Sequence, residues 1–199
     1  MGKEENKEME FWTQEEFQAF LECVADKPIS YYAFEMLYWT GIREGELLAL
    51  TPADFKFEKK TLRINKSYQR LEGKDVITDP KTPKSNRSIV MPDFLAVEME
   101  DFISSLYGIR DDDRIFTISK SYLHHEMDRG AKLAGVKRIR IHGLRHSHIS
   151  LLINLGFSAL AIGERVGHEA VDITYHYAHL FPTVQTDMAA QLETEREAL

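Results

Sequence analysis

Apolar residues recur at helical spacing at Phe17, Phe20, Leu21 and Val24, just after Thr13 and Glu16, which sit three apart as a capping box requires. The pattern predicts an amphipathic first helix. Ser30 is placed to cap a second, more apolar helix through YYAFEMLYWT that Gly41 ends, and REGELLAL predicts a short third helix stopped by Thr51 and Pro52. The period then changes. TLRINKSY, KDVITD and RSIVMP are rich in β-branched residues and are separated by Gly73 and by PKTPKSN, which predicts a small three-stranded antiparallel sheet. From Pro92 the helical period returns, over Asp93 to about Leu106, Ser119 to about Ala134 with Gly135 as stop, and His142 to Leu155 with Gly156 as stop. Short helices are predicted in SALAIGERVG and AVDITYHYA, and a last polar one after Pro182. Helices, then strands, then helices make an α+β class, mostly helical, and not a doubly wound parallel sheet.

At 199 residues and 43% hydrophobic content, the chain is sized for one domain with its own core. The single cysteine, Cys23, excludes an internal disulfide framework and a thiolate metal site, and it fits a reducing cytoplasm. The polar start MGKEENKEME lacks the apolar core of a signal peptide, and no later run reaches membrane-spanning length. A net charge of −7 argues at first against a nucleic-acid partner. Its distribution reverses that: residues 1–30 and 181–199 together sum to −8, which leaves the middle at +1. Residues 56–90 hold ten Lys or Arg against four acids, and residues 129–145 hold six against none. Two basic stretches of this kind suit one nucleic-acid-facing surface, or solvated surface when each is taken alone.

Chemistry-bearing residues cluster in four places. In IHGLRHSHISLLINLG, His142, Arg145 and His146 share one face at the start of a helix. They suit capping, or hydrogen bonds to neighbouring backbone. His142 and His146 also have the spacing of two zinc ligands on a helix, although Gly143 stands where a zinc peptidase carries glutamate and Arg145 would set a cation beside the metal. In TGIREGELLAL, Glu46 lies three residues after Arg43 and can orient it, or form an ordinary surface ion pair. PKTPKSNRS reads as a hairpin tip carrying Lys81 and Lys84. In GHEAVDITYHYAHL, Tyr175 and Tyr177 lie about 200° apart around a helix, so at most one points into any one site.

Taken together, Arg43 in TGIREGEL, Lys81 in PKTPKSNRSIVMP, His142 and Arg145 in HGLRHSH, His168 in VGH and Tyr177 in YHYAHL resemble the ordered signature of the tyrosine recombinases, the phage integrase family. The resemblance spans roughly residues 13–180 and implies the tyrosine recombinase catalytic fold. It implies that the chain cuts and rejoins double-stranded DNA through a covalent 3′-phosphotyrosyl intermediate, in integration or recombination of a phage or mobile element. Arg43 and Arg145 would be the forked cations that stabilise charge on the phosphate, His168 a phosphate ligand, and His142 a base or phosphate ligand. Lys81 would be the general acid for the leaving 5′ oxygen, with Glu46 and His146 in support. The family's nucleophile falls nine residues after the G-H histidine, which selects Tyr177 and leaves Tyr175 a packing or backbone-contacting role.

No step in that chemistry calls for a metal, another cofactor or ATP. Other recombinase subunits in a tetrameric synapse are the implied partners, with no membrane. Relatives carry an additional N-terminal helical domain, so residues 1–12 are expected to be a linker remnant or tag-like tail, residues 13–180 the catalytic domain, and residues 181–199 a C-terminal tail that is either exchanged between subunits or solvated or packed on its own domain. The VGH motif favours a recombinase over a type IB topoisomerase of the same chemistry. The competing classes are a catalytically silent DNA-binding regulator and a histidine-metal hydrolase.

Overall fold

The first helix, α1 (Gln14–Val24), starts as its pattern predicts: the Thr13 hydroxyl accepts from the Glu16 amide at 3.3 Å, and the Glu16 carboxylate accepts from the Thr13 amide at 2.9 Å. Two of the helix's orphan amides are thereby satisfied locally, and Phe17, Phe20, Leu21 and Val24 are left to face the core. In this computed structural model the described residues are 10–79, 85–168 and 170–180, with 194 and 196. The last polar helix expected after Pro182, the hairpin tip with Lys81 and Lys84, and most of the C-terminal tail lie outside them. Trp12, in the stretch expected to be a tail, is 1% exposed and ties the chain to the domain through bonds to Ser147 Oγ and the Lys137 carbonyl.

Helix α2 (Pro28–Thr40) begins two residues before the expected cap, because Pro28 carries a preset φ and its missing amide costs nothing in a first turn. Ser30 is therefore inside the helix and fully buried. Its hydroxyl lies 2.8 Å from the Tyr122 hydroxyl and donates to Glu126, joining α2 to a later helix instead of capping its own. Gly41 ends α2 at φ +65°, and a Cβ there would stand 2.5 Å from His148 Cδ2. Helix α3 (Glu44–Leu47) is a single turn, shorter than REGELLAL suggested.

The expected three-stranded antiparallel sheet is present with different members. It runs β1 (Phe55–Lys56), β2 (Thr61–Ile64) and β5 (Arg87–Val90), with Leu62 opposite both Phe55 and Ile89. The stretch TLRINKSY breaks at Asn65 and Lys66, and β3 (Ser67–Leu71) pairs instead with β4 (Lys74–Thr78) in a separate hairpin. Lys66 marks the break: its ammonium reaches Thr51 at 3.1 Å and the Asp54 carboxylate, which draws the chain away from the sheet.

Three longer helices follow, α4 (Asp93–Ser105), α5 (Lys120–Ala134) and α6 (Ile141–Asn154), and then two of eight residues each, α7 (Ala159–Val166) and α8 (Ala170–Tyr177). Two apolar clusters result. The larger joins α1, α2, the sheet, α4 and α5, and takes Ile141 and Leu144 from α6; the smaller holds Ile149 and Ile153 of α6 with Ile162, Val166, Ile173 and Tyr177. Helix α6 is buried on nearly every side and so couples the two. Each fully buried Ile of the small cluster contributes about 1.5–3 kcal/mol of transfer free energy, enough to dock an eight-residue helix that could not stand alone. That docking sets where α8 places its tyrosines.

Candidate active site

Arg43 caps α3, and its position is fixed by Glu46, whose carboxylate accepts from the Arg43 amide and from Nη1, both at 2.8 Å. The second guanidinium nitrogen donates to the Gly167 carbonyl at 3.4 Å, and a third of the side chain stays open to solvent. Glu46 does more than the spacing suggested. Its two oxygens also accept a bidentate pair from Arg87 at 3.1 and 3.0 Å, and both of these side chains are buried. Burial pushes the Glu46 carboxyl upward, and the hydrogen bonds and charges of Arg87 and Arg43 override it, so the group ionises below its ordinary value.

Arg145 is 1% exposed. Its guanidinium donates to the carbonyls of Gly41 and Val166, each at 2.6 Å, at the C-terminal ends of α2 and α7. Helix C-termini carry partial negative charge, so two helix ends hold this cation where a carboxylate would neutralise it. Nε is buried without a hydrogen-bond partner among the described residues. Burial, with Arg43 as a lesser cause, draws the Arg145 pKa down to about 9, which leaves it charged near neutrality.

His142 and His168 complete the cationic pocket. His142 is exposed on the helix start yet partly desolvated, and its pKa is lowered by burial, then by Arg145 and Arg43. His168 is half-buried and drawn down to about 4 by burial and then by Arg145, Arg43, His142 and Arg87. Both rings are therefore neutral at pH 7 and can offer one donor and one acceptor each. A cleft of about 330 Å³ opens at His168, lined also by Asn86, Arg87, Gly163 and Gly167.

The two tyrosines separate cleanly. Tyr177 is 3% exposed and its hydroxyl is hydrogen-bonded to His146 Nδ1, whereas Tyr175 is 82% exposed. Of the packing or backbone-contacting role expected of Tyr175, the packing is absent: the turn of α8 that points Tyr177 inward points Tyr175 to solvent. Burial raises the Tyr177 pKa above the usual phenol value, and Arg145 opposes the rise. The rings of His142 and His146 meet edge to face, 4.8 Å between centroids, and among the described residues no third His, Cys, Asp or Glu joins them in a metal-binding group.

The fold thus brings Arg43, Glu46, His142, Arg145, His146, His168 and Tyr177 into one region from α3, α6, the end of α7 and α8; Lys81 falls outside the described residues. Three contributors were not read from the sequence. Arg87 is one, and its signal was strand alternation, since Ile89 faces inward and places Arg87 on the same side. The others are His148 and Arg165. His148 is buried and accepts from Arg165 Nε at 3.0 Å, while the Arg165 fork donates to the carbonyls of Val90 and Trp39. This brace lies directly under Gly41, one of the two carbonyls that hold Arg145.

An ordered set of cations and neutral histidines around a buried tyrosine can hold an anion beside a hydroxyl, and the family match agrees with the resemblance read from the sequence. Residues 10–183 match the phage integrase family, and the chain belongs to it. The ICEBs1 integrase of Bacillus subtilis (strain 168) is 32% identical, over 94% of this chain and 55% of the relative. The integrase of Staphylococcus phage L54a is 29% identical, over 81% of this chain and 51% of the relative. The chain spans about half the length of the curated relatives it matches. Among solved structures, the Tn1549 transposon integrase in complex with a circular intermediate DNA superposes with a TM-score of 0.77 at 22% identity, over 98% of this chain and 68% of that one. The catalytic domain of bacteriophage HP1 integrase gives 0.65 at 19% identity, over 92% of this chain and 95% of that one. These likenesses establish the α+β recombinase catalytic fold.

Proposed function

We infer that this chain is the strand-cutting and rejoining domain of a site-specific recombinase of a phage or mobile element. Tyr177 attacks a DNA phosphate, a bond forms between its oxygen and phosphorus, and the bond from phosphorus to the 5′ oxygen breaks. The bond energy is kept in the 3′-phosphotyrosyl link, so a 5′ hydroxyl can reverse the step without ATP. Arg43 and Arg145 stabilise charge on the phosphate oxygens, His142 and His168 hydrogen-bond them, and Lys81 protonates the departing 5′ oxygen. Glu46 acts through Arg43, which it holds in place.

The observation that carries this reading is Arg145: a buried guanidinium, held by two helix ends instead of a carboxylate, with Nε unpartnered among the described residues and the buried Tyr177 within its field. An unneutralised cation at that depth is costly to fold, and an incoming phosphate offsets the cost. Double-stranded DNA and further recombinase subunits are the partners, and the cytoplasm, where that DNA lies, is the compartment; among the described residues no helix is long and apolar enough to cross a membrane.

The test is covalent trapping on a nicked suicide DNA duplex in the presence of a chelator. Trapping is expected for the natural sequence and for Tyr175→Phe, and is lost in Tyr177→Phe. Binding to the duplex with no adduct under any condition would favour a silent DNA-binding regulator.

A further inference from the structure

Attack by a phenol requires the phenolic proton to go somewhere, and the resemblance to the tyrosine recombinases implied His142, as a base or phosphate ligand, for that task. The fold places a different side chain on the hydroxyl. His146 and Tyr177 lie on separate helices, 31 residues apart, and their polar contact joins Nδ1 of one to the hydroxyl of the other, with ring centroids 5.9 Å apart. His142 packs edge to face against the His146 ring, 4.8 Å between centroids.

We propose that His146 is the catalytic acceptor of the Tyr177 proton: as Tyr177 Oη bonds to phosphorus and the bond to the 5′ oxygen breaks, the phenolic proton passes to His146 Nδ1 while the 5′ oxygen takes one from Lys81. The proposal rests on the recombinase reading above. On religation the flow reverses, and His146 returns the proton to the phenolate as the tyrosine leaves.

The surroundings suit a base that is idle until DNA arrives. From α6, His142 and Arg145 face His146; from α8, His176 and Tyr177 do. Burial first, then His142, Arg145 and His176, draws the His146 pKa to about 4, so the imidazole is neutral and has a lone pair to offer. Burial also keeps the proton on Tyr177, against the pull of Arg145. A phosphate anion seated on Arg43 and Arg145 offsets the Arg145 share of the field that disfavours a charged His146, and bonding to phosphorus removes the phenol's hold on its proton. Both changes drive transfer in the same direction, and only when the substrate is in place.

Two measurements decide the matter. In the first, cleavage rates on the suicide duplex are followed from about pH 6 to pH 10 for the natural sequence, His146→Ala and His146→Gln. Loss of a general base lowers the rate by about 10²–10⁴-fold near neutrality. The deficit is expected to narrow as pH rises, because hydroxide ionises the phenol directly, and added imidazole is expected to restore part of the rate in the alanine variant. A rate within about threefold of the natural sequence, or a deficit that is the same at every pH, overturns the assignment. In the second, which needs no DNA, side-chain nitrogen NMR of the folded chain is expected to show His146 with Nδ1 unprotonated and accepting, and that signal is expected to shift in Tyr177→Phe. A protonated Nδ1 at neutral pH overturns the assignment. Trapping that persists in Tyr177→Phe is a separate failure: it removes the recombinase reading itself, whatever His146 does.

Discussion

Glu46 carries more of the site than its place beside Arg43 suggests, and Glu46→Ala tests how much. The substitution removes the carboxylate that joins Arg43 to Arg87 and leaves three guanidiniums, with Arg145, facing one region. The Arg87 pair decides the magnitude. Its side chains are 6% and 5% exposed and bonded through both oxygens, and removing one partner of a buried pair costs about 3–5 kcal/mol because the other charge stays buried unpaired. The Arg43 side chain is 34% exposed, so solvent screens its loss to at most about 1 kcal/mol. Against a typical total stability of about 5–15 kcal/mol, a loss of about 3–5 is large and readily measured by urea unfolding at pH 7. The sign with pH is fixed as well. The folded Glu46 pKa is depressed, so its contribution is present above the ordinary carboxylate value and disappears as pH falls through the folded one. The gap between the natural sequence and Glu46→Ala should therefore shrink in acid. A gap below about 1 kcal/mol at pH 7, or one unchanged at pH 3, would refute the view that Glu46 anchors both arginines.

Arg145→Lys keeps the charge but cannot span the Gly41 and Val166 carbonyls, and it is expected to lower the trapping rate by about 10²-fold or more, measured on the suicide duplex. Gly41→Ala adds a methyl 2.5 Å from His148 at a φ of +65°, which should cost more than about 1 kcal/mol in thermal unfolding, through strain and a displaced brace under Arg145. Glu35, 5% exposed, has its pKa raised to about 8 by burial and then by Glu98. Folding therefore favours its protonated form, so the stability it gives is complete below the unfolded carboxyl pKa and is lost as pH rises toward about 8, at about 1.4 kcal/mol per pH unit. Glu35→Gln should remove that slope, and urea midpoints from pH 5 to pH 8 would show it.

What could be read from the chain alone was whatever is written in short spacings. Thr13 with Glu16, the stripe from Phe17 to Val24, and Gly41 and Gly135 as helix ends are local, so period and cap chemistry disclosed them. The order of Arg43, His142, Arg145, His168 and Tyr177 was equally legible, since each sits in its own short motif. What stayed hidden depends on partners far along the chain. Ser30 looked like a cap because its tie to Tyr122 and Glu126 crosses more than ninety residues. The break between β2 and β3 depends on Lys66 reaching back to Thr51 and Asp54, and β1 is too short to show a period at all. Arg87, His148 and Arg165 look like ordinary strand and helix residues until the fold stacks them beneath the site. His146 is the sharpest case: nothing between it and Tyr177 in sequence shows that they touch.

The central claim is that the Tyr177 hydroxyl becomes bonded to DNA. Mass spectrometry of protease-digested adduct from the suicide duplex tests it most directly. The account predicts a single modified peptide, with a nucleotide 3′-phosphate on Tyr177 and Tyr175 in the same peptide unmodified. A phosphate on Tyr175, on another side chain, or on a 5′ end would contradict it.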